Sequence, residues 1–146
     1  MDYTATITTC TPVEQVQRKI IDGLDTWWSN RVDRSATGFT VRFNASHVTF
    51  AIDPGATDTA FTWTGTDAHM IIEDVDDPTE WTGTRLLWHV APAEGGSTVT
   101  LTHEGLTPKI ACFDVCQRGW QHFFETSLRD HLNGQPAAPE LSQPAA

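Results

Sequence analysis

Residues 113–134 read FDVCQRGWQHFFETSLRDHLNG. Phe113, Cys116, Trp120, Phe123, Phe124, Ser127, Leu128 and His131 recur there at spacings of three and four, which puts them on one face of a helix. Asn133-Gly134 and Pro136 supply the stop signal. The spacing predicts one long helix from Phe113 to Leu132, about 30 Å from end to end at roughly 1.5 Å per residue. A face this rich in large rings has to be buried against another layer.

The upstream sequence supplies that layer as strands. From Ser97 to Glu104, Val99, Leu101 and His103 share one face while Thr98, Thr100 and Thr102 take the other. Trp81 to Ala91 alternates in the same way, with Thr84, Leu86, Trp88 and Val90 opposite Gly83, Arg85, Leu87 and His89, and Ala93-Glu94-Gly95-Gly96 turns the chain back. Phe39 to Phe43 and His47 to Ile52 read as a hairpin around Asn44-Ala45-Ser46. Thr59 to Thr64 follows as a further strand, with Phe61 and Trp63 on one side. Residues 67–79 stay open: His69 to Val75 fits a strand, whereas Asp74, Asp76, Asp77 and Pro78 fit a connection. Nearer the N-terminus, Tyr3 to Thr9 alternates as a first strand. Thr11-Pro12-Val13-Glu14 reads as a capping hydroxyl, a first-turn proline and a capping-box glutamate. Val13, Val16, Ile20, Ile21 and Leu24 then continue at helical spacing until Gly23 weakens the run, Trp27 and Trp28 follow, and Ser29 to Gly38 reads as a polar loop.

This order defines an α+β domain, a curved antiparallel sheet of about six to seven strands packed against a long C-terminal helix. Strands about 4.8 Å apart make a sheet on the order of 30 Å wide, whereas a helix with its side chains is only ~10–12 Å across. The sheet must therefore curl around the helix, and the space between them becomes an elongated apolar cavity unless side chains fill it. Trp28, Phe43, Phe50, Trp63, Trp88, Leu101, Trp120, Phe123 and Phe124 are the expected lining, each equally able to serve as plain core. His103 joins them as a polar group able to orient a ligand or move a proton, or else to hydrogen-bond the adjoining turn.

Composition narrows the function. A net charge of −10 over 146 residues, with nine Lys and Arg that form no stripe, opposes a nucleic-acid partner and an anionic membrane surface. No apolar run is long enough to span a bilayer, and the N-terminal residues lack a leader pattern, so the expected address is cytoplasmic. Cys10, Cys112 and Cys116 are expected to be free thiols. Asp74, Asp76, Asp77 and Glu80 lack the spacing of a calcium loop and read as a solvated acidic stretch. No phosphate loop, nucleophile elbow or metalloprotease motif occurs, so neither a metal nor another cofactor is expected and no catalytic residue is assigned. The domain is placed at residues 1–134 and a flexible Pro- and Ala-rich tail at 135–146.

Trp81-Thr82-Gly83-Thr84, Thr100-Leu101-Thr102-His103-Glu104-Gly105-Leu106, Gly119-Trp120 and Ser127-Leu128 before Asn133-Gly134 together resemble the START-like (SRPBCC) superfamily. More narrowly they resemble its branch named after the activator of the ninety-kilodalton heat-shock chaperone's ATPase, and Trp27-Trp28 supports the likeness. The resemblance spans nearly the whole chain. It implies the helix-grip fold, with two short helices after the first strand and a cavity roofed by the last helix. It supplies no catalytic motif to carry onto these positions. A carrier or sensor of a small apolar or amphipathic molecule is the leading expectation. The alternatives are a chaperone-associated interaction module and a cyclase, dehydratase or hydrolase that uses the same cavity.

Overall fold

Seven antiparallel strands form one sheet in the order β1-β7-β6-β5-β4-β3-β2. The structure is a computed structural model and describes residues 2–141. In chain order the elements are β1 (Tyr3–Thr9), α1 (Val13–Asp22), α2 (Leu24–Trp27), β2 (Val32–Arg34), β3 (Gly38–Phe43), β4 (Ser46–Ile52), β5 (Ala60–His69), β6 (Arg85–Ala93) and β7 (Gly96–Glu104). The final helix follows as α3 (Phe113–His122), a π-helical stretch (Phe123–Leu128) and α4 (Arg129–Leu132). Strands β2 to β7 run as a meander, and β1 adds to the β7 edge with Tyr3 opposite His103 and Thr9 opposite Ser97. The sheet is curved and grips the final helix, with the two short helices inserted after β1, as the width argument requires.

Alternation sets the two faces. Val99, Leu101 and His103 of β7, Leu86, Trp88 and Val90 of β6, and Phe61 and Trp63 of β5 are all buried on the concave side. Threonines cover much of the convex side, where Thr4 pairs with Thr102 (3.0 Å), Thr6 with Thr100 (2.8 Å) and Thr40 with Thr49 (2.8 Å) across neighbouring strands. The β4–β5 register slips between Thr49 and Phe50, an irregularity of the kind that bends a sheet.

Three local readings differ from the sequence expectation, and one left open is resolved. The run expected as a strand from Trp81 is a turn up to Thr84, and β6 starts at Arg85. Trp81 instead leaves the sheet to pack beneath the final helix. The stretch left open at residues 67–79 divides, with β5 reaching His69 and a connection beginning at Met70. The loop expected from Ser29 to Gly38 contains the short edge strand β2, whose Val32 pairs with Val41. The Thr11 hydroxyl does not cap α1. It donates to the carbonyl of Leu132 (2.7 Å), while Thr9 Oγ1 accepts the Thr11 N–H (3.0 Å) and sits 3.0 Å from that same carbonyl. Tertiary contact outweighed local capping, because Leu132 is the last residue of α4 and its carbonyl has no partner farther along the helix.

The opposite end of the final helix is held by the loop before β6. Glu80 accepts the N–H groups of Ala111 (3.0 Å) and Cys112 (3.1 Å), which brings a carboxylate to the start of α3. The acidic stretch thus contributes Glu80 to the fold, and Asp77 accepts from the N–H (2.8 Å) and hydroxyl (2.6 Å) of Thr79 within the loop. Among the described residues no group of three or more His, Cys, Asp or Glu is placed to hold a metal ion, and no helix is long and apolar enough to cross a membrane.

The segment after Gly134 was expected to have nothing to bury. Its described part is tied down by hydrogen bonds from Glu140 N to Trp28 O (2.8 Å), Asn30 N to Glu140 O (3.1 Å) and Ala138 N to Ser127 Oγ (2.9 Å), and between His122 Nε2 and Ala138 O (2.8 Å). The remainder of the expected tail, residues 142–146, lies outside the described residues.

Thr11→Val keeps the shape of the side chain and removes the donor to Leu132. Its expected effect is a loss of about 1–2 kcal/mol of unfolding free energy, read from urea denaturation.

Candidate functional site

Most of the space between sheet and helix is occupied by rings. Trp63 packs edge-on to Phe39 (4.9 Å between ring centroids) and tilts against Trp88 (4.9 Å), which stacks on Phe61 (5.7 Å) and meets Phe124 of the final helix (5.8 Å). Phe50 joins the group through Phe39 (5.5 Å) and Trp63 (6.3 Å). The elongated hollow expected from the width mismatch is therefore largely filled, because the sequence places one or two aromatic rings on each central strand.

What remains is a cavity of about 160 Å³ at the α3 end of the grip. Cys116, Gly119, Trp120 and Phe123 of the final helix form one wall. Met70, Ile72 and Trp81 of the loop between β5 and β6 form another, and Trp28 and Phe43 close the inner side. Val115 stands at the edge, and it and Ile71, which lies in sequence between the lining residues Met70 and Ile72, are among the few exposed large apolar side chains of the described residues. Of the residues expected to line a pocket, the structure brings Trp28, Phe43, Trp120 and Phe123 together there. It places Phe50, Trp63, Trp88, Leu101, His103 and Phe124 in the packed interior, at most 2% exposed.

Met70 and Ile72 escaped the sequence reading because their stretch had no clear period, and Trp81 because it resembled the start of a strand. Gly119 carried a signal that the reading passed over. A glycine inside a helix costs about 1 kcal/mol relative to alanine, so its presence in α3 asks for a reason. A Cβ built on Gly119 meets no atom within 4 Å. The missing side chain leaves that part of the cavity wall open.

His103 is locked rather than poised. Trp120 Nε1–H donates to its Nδ1 (3.0 Å), so the neutral ring carries its proton on Nε2. That N–H donates to Thr84 Oγ1 (2.8 Å), whose hydroxyl donates in turn to the Trp81 carbonyl (2.7 Å). Gly105, at φ +100°, ends β7 beside this relay, and a Cβ there would come within 2.8 Å of the Thr84 methyl. Burial pushes the His103 pKa from 6.5 down to about 3, opposed only in part by the Asp2 carboxylate. Both ring nitrogens are spent on the scaffold.

The relay braces a stack of aromatic rings at the cavity wall. Trp120 lies between Tyr3 (6.4 Å, 19°) and Trp81 (5.8 Å, 17°), and Trp81 Nε1–H donates to Cys116 Sγ (3.2 Å). Tyr3 donates to Glu125 (2.8 Å), and burial together with that carboxylate raises its pKa. The hydrogen-bonded Cys112 thiol, together with burial, pushes the Cys116 thiol up, which keeps it protonated. Cys112 is buried and free like Cys116, while Cys10 is free and exposed.

Comparisons with solved structures agree with this architecture. The chain is similar to the solution structure of the Aha1 dimer from Colwellia psychrerythraea, at 20% identity and a TM-score of 0.70, over 91% of this chain and 96% of that one. It is also similar to protein MLL2253 from Mesorhizobium loti, at 13% identity and TM-score 0.69, over 90% and 96% of the two chains. DynU16, from the dynemicin biosynthetic locus, matches at 14% identity and TM-score 0.63, over 92% of this chain and 48% of its own. At these identities the likeness shows a fold, the helix-grip fold of Aha1-like proteins. No protein-family model and no curated protein matches the chain.

Between pH 6.5 and about 3 the unfolded chain binds a proton at His103 that the folded chain refuses. Stability therefore rises with pH across that window and falls on acidification, by about 1.4 kcal/mol per unit from this group. Urea unfolding at pH 5 and pH 7 should show that extra slope in the native protein and lack it in His103→Gln. Long-range 1H–15N spectra should hold the His103 ring in its neutral Nε2–H form at pH 5.

Proposed function

We propose that the chain is a carrier or sensor that takes the ring or chain of a small apolar molecule into the cavity between Trp28, Trp81, Gly119 and Trp120. The observation that supports this reading most is Gly119, an unfavourable residue in the middle of a helix whose one evident effect is to keep the cavity wall open. A cavity of about 160 Å³ matches the size that accommodates one benzene-like ring. Covering about 200 Å² of ligand at ~25 cal/mol per Å² supplies about 5 kcal/mol before association costs. Micromolar binding needs about 8 kcal/mol. A ligand of that affinity therefore reaches beyond the cavity.

A second reading, a chaperone-associated interaction module, is favoured by the likeness to the Colwellia Aha1 structure and by two exposed apolar side chains, Val115 at the cavity edge and Ile71 between the lining residues Met70 and Ile72. The fold comparison favours this reading more than the first, and the cavity favours the first. Under it, the cavity would receive an apolar side chain of a partner protein.

Two experiments separate these. In thermal-shift and native mass-spectrometric screens against aromatic metabolites and lipids, a ligand at ten times its Kd should raise Tm by about 4–5 °C for a chain this long. Gly119→Leu, which fills the cavity and improves helix propensity, should fold and lose that shift; an equal shift in the variant would place the ligand elsewhere. For the second reading, titration into the host's ninety-kilodalton chaperone should raise its ATPase rate, and Ile71→Asp with Val115→Asp should abolish the rise. An unchanged rate with the native chain removes that reading.

A further inference from the structure

Among the described residues, two donors in the packed interior have no acceptor. The indole nitrogens of Trp63 and Trp88 are buried without a hydrogen-bond partner. Three other indoles show what this fold does when it can: Trp27 donates to Ile20 O (2.9 Å), Trp81 to Cys116 Sγ (3.2 Å) and Trp120 to His103 Nδ1 (3.0 Å). Leaving a buried donor unmade is costly, and the aromatic faces around these two are only second-order acceptors. The orphans also sit together, with ring centroids 4.9 Å apart.

They are also close to the cavity. Trp28, on its inner side, packs on Phe50 at 5.8 Å, and Phe50 packs on Trp63 at 6.3 Å. On the helix side, Phe123 lines the cavity and the next residue, Phe124, packs against Trp88 at 5.8 Å. Phe123 and Phe124 open the π-helical stretch, a distortion of the α-helical ladder found frequently at functional sites. Phe50 and Phe124 thus lie between the cavity-lining residues and the rings of the two indoles.

We propose that the cavity is the vestibule of a deeper site, reached when Phe50 and Phe124 swing aside, in which Trp63 and Trp88 donate hydrogen bonds to one oxygen acceptor of an uncharged apolar ligand. The proposal rests on the small-molecule reading above and names its ligand class: an aromatic or polycyclic molecule with a ketone, quinone or similar carbonyl at its buried end. Two donors and no acceptor select against a ligand hydroxyl or amine, which would bury a donor against donors. The site also selects against carboxylates, since a buried anion needs a cation and the buried imidazole of His103 is held neutral, with Trp120 donating to its Nδ1. A site built on such donors rejects the analogue that lacks the acceptor far more strongly than a purely apolar pocket could.

Benzophenone and diphenylmethane provide the test, since they differ by the carbonyl oxygen. The proposal expects benzophenone to bind the native protein at least tenfold more tightly. It also expects the indole N–H resonances of Trp63 and Trp88, assigned with Trp63→Phe and Trp88→Phe, to move downfield by about 0.5 ppm or more with benzophenone alone. Gly119→Leu should block both compounds. Equal affinities with unmoved indole resonances would overturn the deeper site and leave the small-molecule reading standing. A long-lived water bound to both indoles in the free and benzophenone-loaded protein would also overturn it. Failure of both compounds to bind would overturn the deeper site, and together with an empty result from the wider screen would take the small-molecule reading with it.

Discussion

A single helical rod about 10–12 Å across has to seal the concave face of seven strands. Curling the sheet is half of the answer, and the other half is anchoring the rod so that it cannot slide or lift. Its start is held by the Glu80 carboxylate on the N–H groups of Ala111 and Cys112, and its end by the Thr11 hydroxyl on the Leu132 carbonyl. Asn133 adds to the second anchor, accepting from Cys10 N (2.9 Å) and donating to Thr8 O (3.1 Å). Both clamps use groups that a helix terminus leaves unsatisfied, so each meets a local need of the helix while fixing its place on the sheet. The loop between β5 and β6 is long because it must carry Glu80 to one end of the rod and Trp81 beneath it.

This division explains what could be read from residues alone. The strands and the final helix were legible because their periods record which side of each element is buried, and Val99-Leu101-His103 or Cys116-Trp120-Phe123 state that without reference to anything distant. The resemblance to START-like proteins and the geometry of widths pointed to the same architecture. Thr11 was misread because its local context is that of a helix cap, and only the arrival of Leu132, 121 residues later, makes a better acceptor available. Trp81 to Thr84 was misread because alternation continues through it although the backbone turns. The position of the cavity was not legible, because it depends on how many rings one space must hold. Phe39, Phe50, Phe61, Trp63, Trp88 and Phe124 together fill the middle, and only the end under the Met70-to-Thr84 loop is left.

The aromatic residues separate into two populations with different physics. Around Trp120, polar atoms are matched: indole, imidazole, hydroxyl, backbone carbonyl and thiol are linked from Trp120 through His103, Thr84 and Trp81 to Cys116, and Tyr3, hydrogen-bonded to the Glu125 carboxylate, joins them by stacking on Trp120. A satisfied network of this kind favours one arrangement over its neighbours, since moving any ring strands a buried donor. That rigidity makes His103 unsuited to acid–base work while leaving Trp120 fixed as a flat cavity wall. Around Trp63 the surroundings are aromatic rings and the aliphatic side chains of Leu86 and Ile52, which pack well but offer indole N–H groups nothing of comparable strength. There the fold accepts a cost that it avoids elsewhere.

Three departures from what stability alone would choose thus fall in one region. Gly119 weakens α3 and thins the cavity wall, the π-helical stretch interrupts the helix one turn later, and the unmatched donors of Trp63 and Trp88 lie behind Phe50 and Phe124. Sequences are locally consistent with their folds except where function or strain intervenes. Had these departures been incidental, nothing would have required them to share a neighbourhood. The convex face and the β1–β7 edge are instead closely matched, down to threonine pairs on the surface. The concentration of cost in one neighbourhood, from an open apolar mouth to two unpaired donors, is what the proposed binding site requires if it is to narrow from shape selection to hydrogen-bond selection.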